Sequence, residues 1–500
     1  MIMDDIKLVI PPISFLGYPL INSPLLLSLL KENSFKASIN EANILFLKYF
    51  LRHNKKILND IIDTISIPLE KRIKFNLIVA KLLDVEKNFF PFFLFIQSKE
   101  FTEKWIDNFI KTPSPIIYFN FHHFRTSNKS FPWINNVIKE IKSVYPNTLA
   151  IVGGSYFIFF RNEEIEYFFK KYRYIDCLVL GEEEYVLPKI VSAFNGKLDS
   201  LKSIDGLALN VKLKPYVINT NPFIKNLNYL PIPDYSKIQL NRYLNFRVGT
   251  RILPIESSRS CPGRCIFCIE KKIGFKFRIK NPEKVVDEME YLNKKYKIKI
   301  FRFNDCLINY SFKNLNKICD LILERDLNVF WGGMAKINNF WTKDIMEKLK
   351  KAGCRFLWFG IESASPRVLR VMKKDIDIKK VPEILENITN LGIFTVTFWI
   401  TNNPLENEFD TKLSISFLEK NYEKFNAILL NKFRLMKGTK IYERKKNYGI
   451  KSLKTDIINP SVRYITKNYN HKKMIITWNK LKKTVQPIYR IEGFPIITEI

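Results

Sequence analysis

Arg259-Ser260-Cys261-Pro262-Gly263-Arg264-Cys265-Ile266-Phe267-Cys268 places three of the chain's seven cysteines within eight positions, spaced C-x3-C-x2-C. Three thiolates on one tight loop can hold three irons of a cubane 4Fe–4S cluster and leave the fourth iron without a protein ligand; thiolate is the ligand such clusters use. A structural zinc site is the alternative, but zinc normally closes its shell with a fourth Cys or His. No histidine lies nearby, since the only four are His53, His122, His123 and His471. The spacing therefore predicts a metal centre on Cys261, Cys265 and Cys268, with an open iron where a substrate or cofactor can bind. Pro262 and Gly263 suit a loop that needs tight turns and free backbone N–H groups aimed at sulfur.

Downstream of this loop, strands and helices alternate. Helices are expected at 282–296, 312–325, 342–351, 379–391 and 408–421, and strands at 298–304, 328–334, 356–361, 393–400 and 427–433. With the strand Leu253-Pro-Ile-Glu-Ser257 that delivers the cysteines, this makes six βα units. Barrel chemistry gathers at the C-terminal ends of the strands, where Asn304-Asp305, Lys336, Glu362-Ser363 and Thr401-Asn402 fall. Each has a plainer reading: Asp305 as a helix cap, Asn304 as a turn residue, Ser363 as the cap of the next helix.

Upstream, residues 6–12 read as a buried strand, Ser23-Pro24 opens a helix, and 35–40 reads as a second strand. Residues 41–112 look mainly helical, with Ile44, Leu47, Phe50 and Leu51 at spacings of three and four. From Pro115, strands at 116–121, 149–154 and 176–181 alternate with helices at 131–145, 162–172 and 182–193. Short apolar strands between helices argue an α/β, doubly wound, Rossmann-like parallel sheet. Ligands of such sheets sit at the C-terminal strand ends, where the turns Gly153-Gly154 and Gly181-Glu182 let backbone approach a ligand. Residues 211–250, with Pro215, Pro222, Pro231 and Pro233, read as a linker.

Composition narrows the classes. A chain of 500 residues with 46% hydrophobic and 14% aromatic residues has core material for two or three domains. Its longest dense apolar run, Phe89 to Ile96, is broken by Pro91 and falls far short of the ~20 residues that span a bilayer. Asp4 and Asp5 stand where a signal peptide would carry Lys or Arg, and thiols grouped as ligands suit a reducing cytoplasm. The net charge of +32 invites a nucleic-acid reading. The charge is diffuse, however, apart from residues 437–500 with 15 Lys or Arg against 4 Asp or Glu. A solvated basic surface is the plainer account.

The three cysteines and their surroundings resemble the radical S-adenosylmethionine (SAM) superfamily. That resemblance implies that the open iron chelates SAM and that an electron from the cluster cleaves the sulfonium to a 5'-deoxyadenosyl radical. Phe267 matches the residue that packs near the adenine. Phe301-x-Phe-x-Asp305 resembles the family's second-strand motif, and Gly360-Ile-Glu362-Ser363 with Val368-Leu-Arg-Val-Met-Lys373 its fourth-strand motif. Phe267, Asp305, Glu362 and Ser363 are thus expected to help seat SAM in a partial (β/α)6 barrel over 251–445. Thr401-Asn402-Asn403-Pro404 departs from the family's glycine-rich turn after strand five, and Lys437-Gly438-Thr439 resembles the stretch that closes the barrel. A basic C-terminal extension follows over 446–500. The methylthiotransferase branch is excluded, because it needs three N-terminal cysteines and only Cys177 is there; Cys306, Cys319 and Cys354 form no pair for a second cluster.

The half that precedes the barrel, with its domain over 1–210, resembles the cobalamin-binding domain of one large radical SAM group, through Val152-Gly153-Gly154, Gly181-Glu182-Glu-Glu184, Ile204-Asp-Gly-Leu-Ala208 and Leu230-Pro-Ile-Pro-Asp-Tyr235. This implies cobalamin contacts at Gly153, Gly154, Gly181 and Glu182. The D-x-H-x-x-G cobalt-ligand signature is absent, and His122 and His123 are placed at the ligand edge as loop residues or substitutes for it. The leading expectation is a cobalamin-dependent methyltransferase acting on an unactivated carbon of a small-molecule or peptide substrate, served by an electron donor of flavodoxin or ferredoxin type. The alternatives are a radical SAM enzyme without cobalamin that performs a rearrangement, cyclisation or peptide modification, and a nucleic-acid-binding protein with a structural metal.

Overall fold

A computed structural model describes residues 4–11, 19–53, 99–121, 127–218, 222–243, 251–273, 275–453, 456–466 and 489–490. The N-terminal part is a seven-stranded sheet. Its strands are β1 (Ile6–Ile10), β2 (Ala37–Glu41), β3 (Ile116–Asn120), β4 (Leu149–Gly153), β5 (Cys177–Val179), β6 (Leu207–Val211) and β7 (Lys214–Ile218), in the order β2-β1-β3-β4-β5-β6-β7. β1 to β5 pair in parallel. β1, β3 and β4 are buried along their whole length, which is why they read as continuous apolar runs. One face packs Phe101, Trp105, Phe131 and Phe168, the other Leu26, Leu27, Leu187 and Ile190. The doubly wound, Rossmann-like reading therefore holds.

Two features differ from the sequence reading. β6 and β7 are antiparallel to their neighbours, so the sheet ends in a hairpin, and residues 214–218 of the expected linker belong to it. Pro215 is tolerated because β7 is the edge strand. The hairpin turns at Lys212 and Leu213, with φ of 51° and 66°. That is the left-handed geometry a two-residue loop needs, here without the usual Asn or Gly. In the expected 41–112 helical region, helices are described at Ala42–His53 and Lys99–Ile110; 54–98 lie outside the described residues, as do His122 and His123.

The C-terminal part is a second, parallel sheet. It comprises β8 (Ile252–Ile255), β11 (Ile300–Phe303), β12 (Phe330–Ala335), β13 (Cys354–Glu362), β14 (Phe394–Thr401), β15 (Ala427–Lys432) and β20 (Tyr489–Arg490), in the order β20-β15-β14-β13-β12-β11-β8. The intervening short strands are β9 (Ser258–Arg259), β10 (Arg278–Ile279), β16 (Leu435–Met436), β17 (Ile450–Ser452), β18 (Ser461–Val462) and β19 (Tyr464–Thr466). Among the described residues β8 and β20 are the two edges, and the barrel they bound is partial. Its helices start where the sequence signals them: Pro282 opens Pro282–Tyr296 at the first turn, and Ser311 Oγ accepts from Asn314 N–H ahead of Phe312–Glu324. Val285, Met289, Leu292, Ile318 and Ile322 bury against Phe301, Phe303 and Trp331.

The basic extension is partly built into the fold. β16 pairs with β18 and β17 with β19, and Ile458 enters the N-terminal core. The Tyr156 hydroxyl donates to its carbonyl at 2.7 Å. Lys171 pairs with Asp456, and Lys437 with Glu164, each at 3.3 Å. The two halves are thus joined through the extension as well as through the cluster loop. No helix of the described residues is long and apolar enough to cross a membrane.

Candidate active site

β8 feeds directly into the cysteine loop. Ser257 and Ser258, just past its end, are fixed from below by Asp305, which follows β11 and is fully buried. The Asp305 carboxylate accepts from Ser257 N–H at 2.9 Å, Ser257 Oγ–H at 2.5 Å and Ser258 Oγ–H at 2.6 Å. Burial lifts its pKa to about 6 against these hydrogen bonds. Asp305 therefore braces the strand end beneath the loop and lines none of the cavities there.

Above the brace, Ser260 takes φ of 69° and turns the chain into the loop. Cys261, Cys265, Phe267 and Cys268 then open on one cavity of about 760 Å³, together with Gly360 and Glu362 from the end of β13. Gly263 N–H points at Cys261 Sγ, 3.3 Å away, as expected for a loop that solvates thiolate sulfur. Burial raises the thiol pKa values of Cys261 and Cys268, so without a metal both are neutral. Among the described residues, no three His, Cys, Asp or Glu side chains converge closely enough to hold one metal ion. The three cysteines line one cavity, which suits a cluster with an iron for each thiolate better than a single zinc.

Glu362 sits at a register shift between Gly360 and itself, with φ of 71°. A non-glycine residue in this region is strained, and such strain concentrates at functional sites. The bulge turns the carboxylate into the cavity, 3.1 Å from Lys374 Nζ. Burial opposes the charge on Lys374, but Glu362 and Cys265 outweigh it and its pKa is raised. Ser363, one residue on, is fully buried and points away. Its hydroxyl donates to Glu406 Oε1 at 2.8 Å and lies 3.2 Å from Ser414 Oγ. The cap of the helix Pro366–Met372 is Ser365, whose Oγ accepts from Val368 N–H, so Ser363 is neither in the cavity nor the cap.

The edge of the N-terminal sheet meets the other side of the loop. Gly154, Gly181 and Glu182 line a second cavity of about 180 Å³, shared with Glu256, Arg259, Ser260, Glu270 and Cys306. Gly153 does not line it: a Cβ there would meet the Tyr118 hydroxyl at 2.4 Å, so this glycine admits a packed tyrosine. Gly154 has φ of 116° and lies against the Phe121 carbonyl, and Gly181 against Pro222. Glu182 is an ion-pair partner, held by Arg278 at 2.7 and 2.8 Å and by Arg259 at 3.4 Å. Arg259 also reaches Glu184 at 2.7 Å and Glu256 at 2.5 Å. Two residues before the first cysteine, the cluster loop is thus clamped to the Gly181-Glu-Glu-Glu184 turn of the other domain.

Several residues that the sequence did not single out for the site belong to it. Glu270 and Cys306 line both cavities; Cys306 Sγ–H donates to Glu270 at 3.3 Å, and burial lifts Glu270 to about 7. Glu270 lies two positions after a cysteine and Cys306 directly after Asp305, which are the only sequence hints. Lys374 had none.

A parallel βα barrel whose first strand delivers three thiols into one cavity, backed by a Rossmann-like sheet, defines the class of this protein. Residues 255–418, which hold most of the barrel, match the family model described as the radical SAM superfamily. Among curated relatives, an uncharacterized methyltransferase of Pyrococcus horikoshii is 28% identical over 285 residues, 57% of this chain and 60% of that one. The anaerobic magnesium-protoporphyrin IX monomethyl ester cyclase of Rubrivivax gelatinosus is 27% identical over 271 residues, 53% and 48% of the two chains. The matches therefore span about half to three fifths of these relatives. The fold as a whole is that of the radical SAM methyltransferase TsrM of Kitasatospora setae, solved with cobalamin and a 4Fe–4S cluster bound. The TM-score is 0.67 over 97% of this chain and 91% of that one, at 13% identity.

Proposed function

We propose that this chain is a radical SAM enzyme, and that it is a cobalamin-dependent methyltransferase acting on an unactivated carbon. The observation that carries the reading is the shared cavity onto which Cys261, Cys265 and Cys268 open beside Phe267 and the strained Glu362. When bound, a 4Fe–4S cluster on these thiolates and SAM supply a 5'-deoxyadenosyl radical, and cobalamin supplies a transferable methyl group. The chain's own residues do the rest. Glu362, paired with Lys374, accepts hydrogen bonds from a ribose diol or an ammonium group. Phe267 offers an apolar wall for adenine, and Asp305 holds the strand end that aims the loop.

For cobalamin, the support is the Rossmann-like edge, the likeness of fold to TsrM, and two buried atoms at the interdomain cavity. Among the described residues, Glu256 Oε2 and Ser260 Oγ have no hydrogen-bond partner, and the amide groups around a corrin would satisfy them. The cavity of about 180 Å³ is small for a corrin. Residues 12–18 and 122–126, which follow β1 and β3 in the sequence, lie outside the described residues.

The mouth of the cluster cavity bears on the substrate. Lys336 pairs with Asp375 at 2.8 Å and Lys374 with Glu362, while Arg264, Arg370 and Lys373 line the cavity as exposed cations. A small molecule or peptide carrying carboxylate or phosphate suits that surplus. A reaction other than methyl transfer is the second reading, favoured by the cyclase among the relatives. Neither reading calls on nucleic acid, and both need the reducing conditions of a cytoplasm. The test is anaerobic reconstitution with iron, sulfide and hydroxocobalamin, followed by desalting. Cobalamin retained in proportion to protein supports the methyltransferase; complete loss of cobalamin with the cluster retained favours the second reading.

A further inference from the structure

Among the described residues, three cavities reach the cysteine loop. The first holds the thiols and faces the barrel, and the second faces the N-terminal sheet. The third, of about 530 Å³, lies against the loop at Ser260, Cys261 and Pro262, and its remaining walls are Phe223, Lys271, Phe275, Lys276 and Phe277. No carboxylate is among these lining residues. Lys271, Lys276 and Pro262 are exposed, and Ile279, just beyond on β10, is 42% exposed.

The floor of this cavity is made of packed aromatic rings. Phe223 stacks on Phe275 with ring centres 5.8 Å apart and planes 13° from parallel. The Arg278 guanidinium lies over the Phe223 ring, 5.0 Å from its centre, itself fixed by Glu182. Phe277 packs edge-on against Tyr310 at 5.2 Å. An apolar, aromatic floor with a cationic rim, built directly against a cluster-ligand cysteine, has the composition of a docking surface.

We propose that this surface receives the electron donor, a small acidic protein carrying a one-electron centre. The proposal rests on the reading of Cys261, Cys265 and Cys268 as cluster ligands. Electron transfer falls steeply with distance, so a donor must approach the cluster closely. It must also do so without filling the cavities that substrate and cofactor occupy, and only the third cavity offers that approach among the described residues. Charge complementarity fixes the partner's sign: Lys271 and Lys276 on a chain of net charge +32 attract an acidic carrier. In the step itself, a reduced flavodoxin gives one electron to the oxidised cluster, which becomes one-electron reduced, while the flavin hydroquinone becomes its semiquinone.

The experiment uses the reconstituted full chain and two reductants, flavodoxin hydroquinone and the methyl viologen cation radical. Cluster bleaching is followed by stopped flow in the native chain, in Lys271→Glu/Lys276→Glu and in the milder Lys271→Gln/Lys276→Gln. The expected result at low ionic strength is a fall of at least about tenfold in the flavodoxin rate for the Glu pair, a smaller fall for the Gln pair, and convergence with the native chain as salt rises. The methyl viologen rate should hold or increase. An unchanged flavodoxin rate overturns the proposal, as does an equal fall with both reductants, which would indicate damage to the loop. Absence of iron–sulfur absorbance in the native chain would instead overturn the cluster reading, so the two failures are distinguishable.

Discussion

Arg259 gives the sharpest energetic prediction. Its guanidinium is buried among Glu184, Glu256 and Glu182 at 2.7, 2.5 and 3.4 Å; Glu182 is also held by Arg278, and Glu256 feels the buried Lys280 ammonium, which is itself paired with Glu288. Replacing Arg259 by Met leaves the buried Glu184 and Glu256 carboxyl groups without that partner. Breaking a buried pair from one side costs about 3–5 kcal/mol, and this is the loss expected for Arg259→Met. Glu184→Gln removes one contact and leaves Arg259 two carboxylates, so its cost should be about 1–2 kcal/mol. In the double variant Glu184 no longer needs compensation, and its loss should fall short of the sum by about 1 kcal/mol or more. The assay is urea unfolding of the reduced, metal-free chain by circular dichroism at fixed pH and salt, reading the first transition. Proteolysis within 222–243 gives a second readout, because the clamp holds that junction closed. A cost for Arg259→Met below about 0.5 kcal/mol, the level of an exposed ion pair, would refute the clamp.

Gly154→Ala should cost about 2–4 kcal/mol, since its Cβ would lie 1.8 Å from the Phe121 carbonyl at a φ of 116°. Gly196→Ala shares a positive φ of 90° but meets nothing within 4 Å, so the difference between the two in thermal unfolding isolates the clash from the backbone strain. Glu406 provides a test by pH. Burial raises it from the usual 4.5 to about 8, so the folded chain holds a proton that the unfolded chain has lost. Native stability should therefore fall as pH rises from about 4.5 to about 8 and level off above. Glu406→Gln stays neutral and keeps an acceptor for Ser363, so its melting temperature relative to the native chain should climb across that window; a constant difference would contradict the assignment.

Much of this architecture was legible because the elements carry their own signals. Helix Pro282–Tyr296 runs over the predicted residues, and 408–421 likewise, where Asn407 and Asp410 form a capping box. The buried parallel strands announced themselves as apolar runs. The hairpin of β6 and β7 did not, because Lys212 and Leu213 adopt left-handed geometry that their side chains do not advertise. The site was legible only where chemistry is local. Three cysteines on one loop can be read directly; the contact of Arg259 with Glu184 joins residues 75 positions apart, and no spacing rule reaches that far. Asp305 and Ser363 show the opposite error. Both stand at strand ends that face ligands in this fold, yet each turns inward to partners, Ser257 and Glu406, that sequence order cannot supply.

The most direct test of the central claim is SAM cleavage under anaerobic conditions, comparing the native chain with Cys265→Ala after reconstitution with iron and sulfide and addition of SAM and a strong reductant. The account predicts iron–sulfur absorbance and 5'-deoxyadenosine from the native chain and neither from the variant. Deoxyadenosine from Cys265→Ala at the native rate, or none from a native chain that carries its cluster, would contradict it.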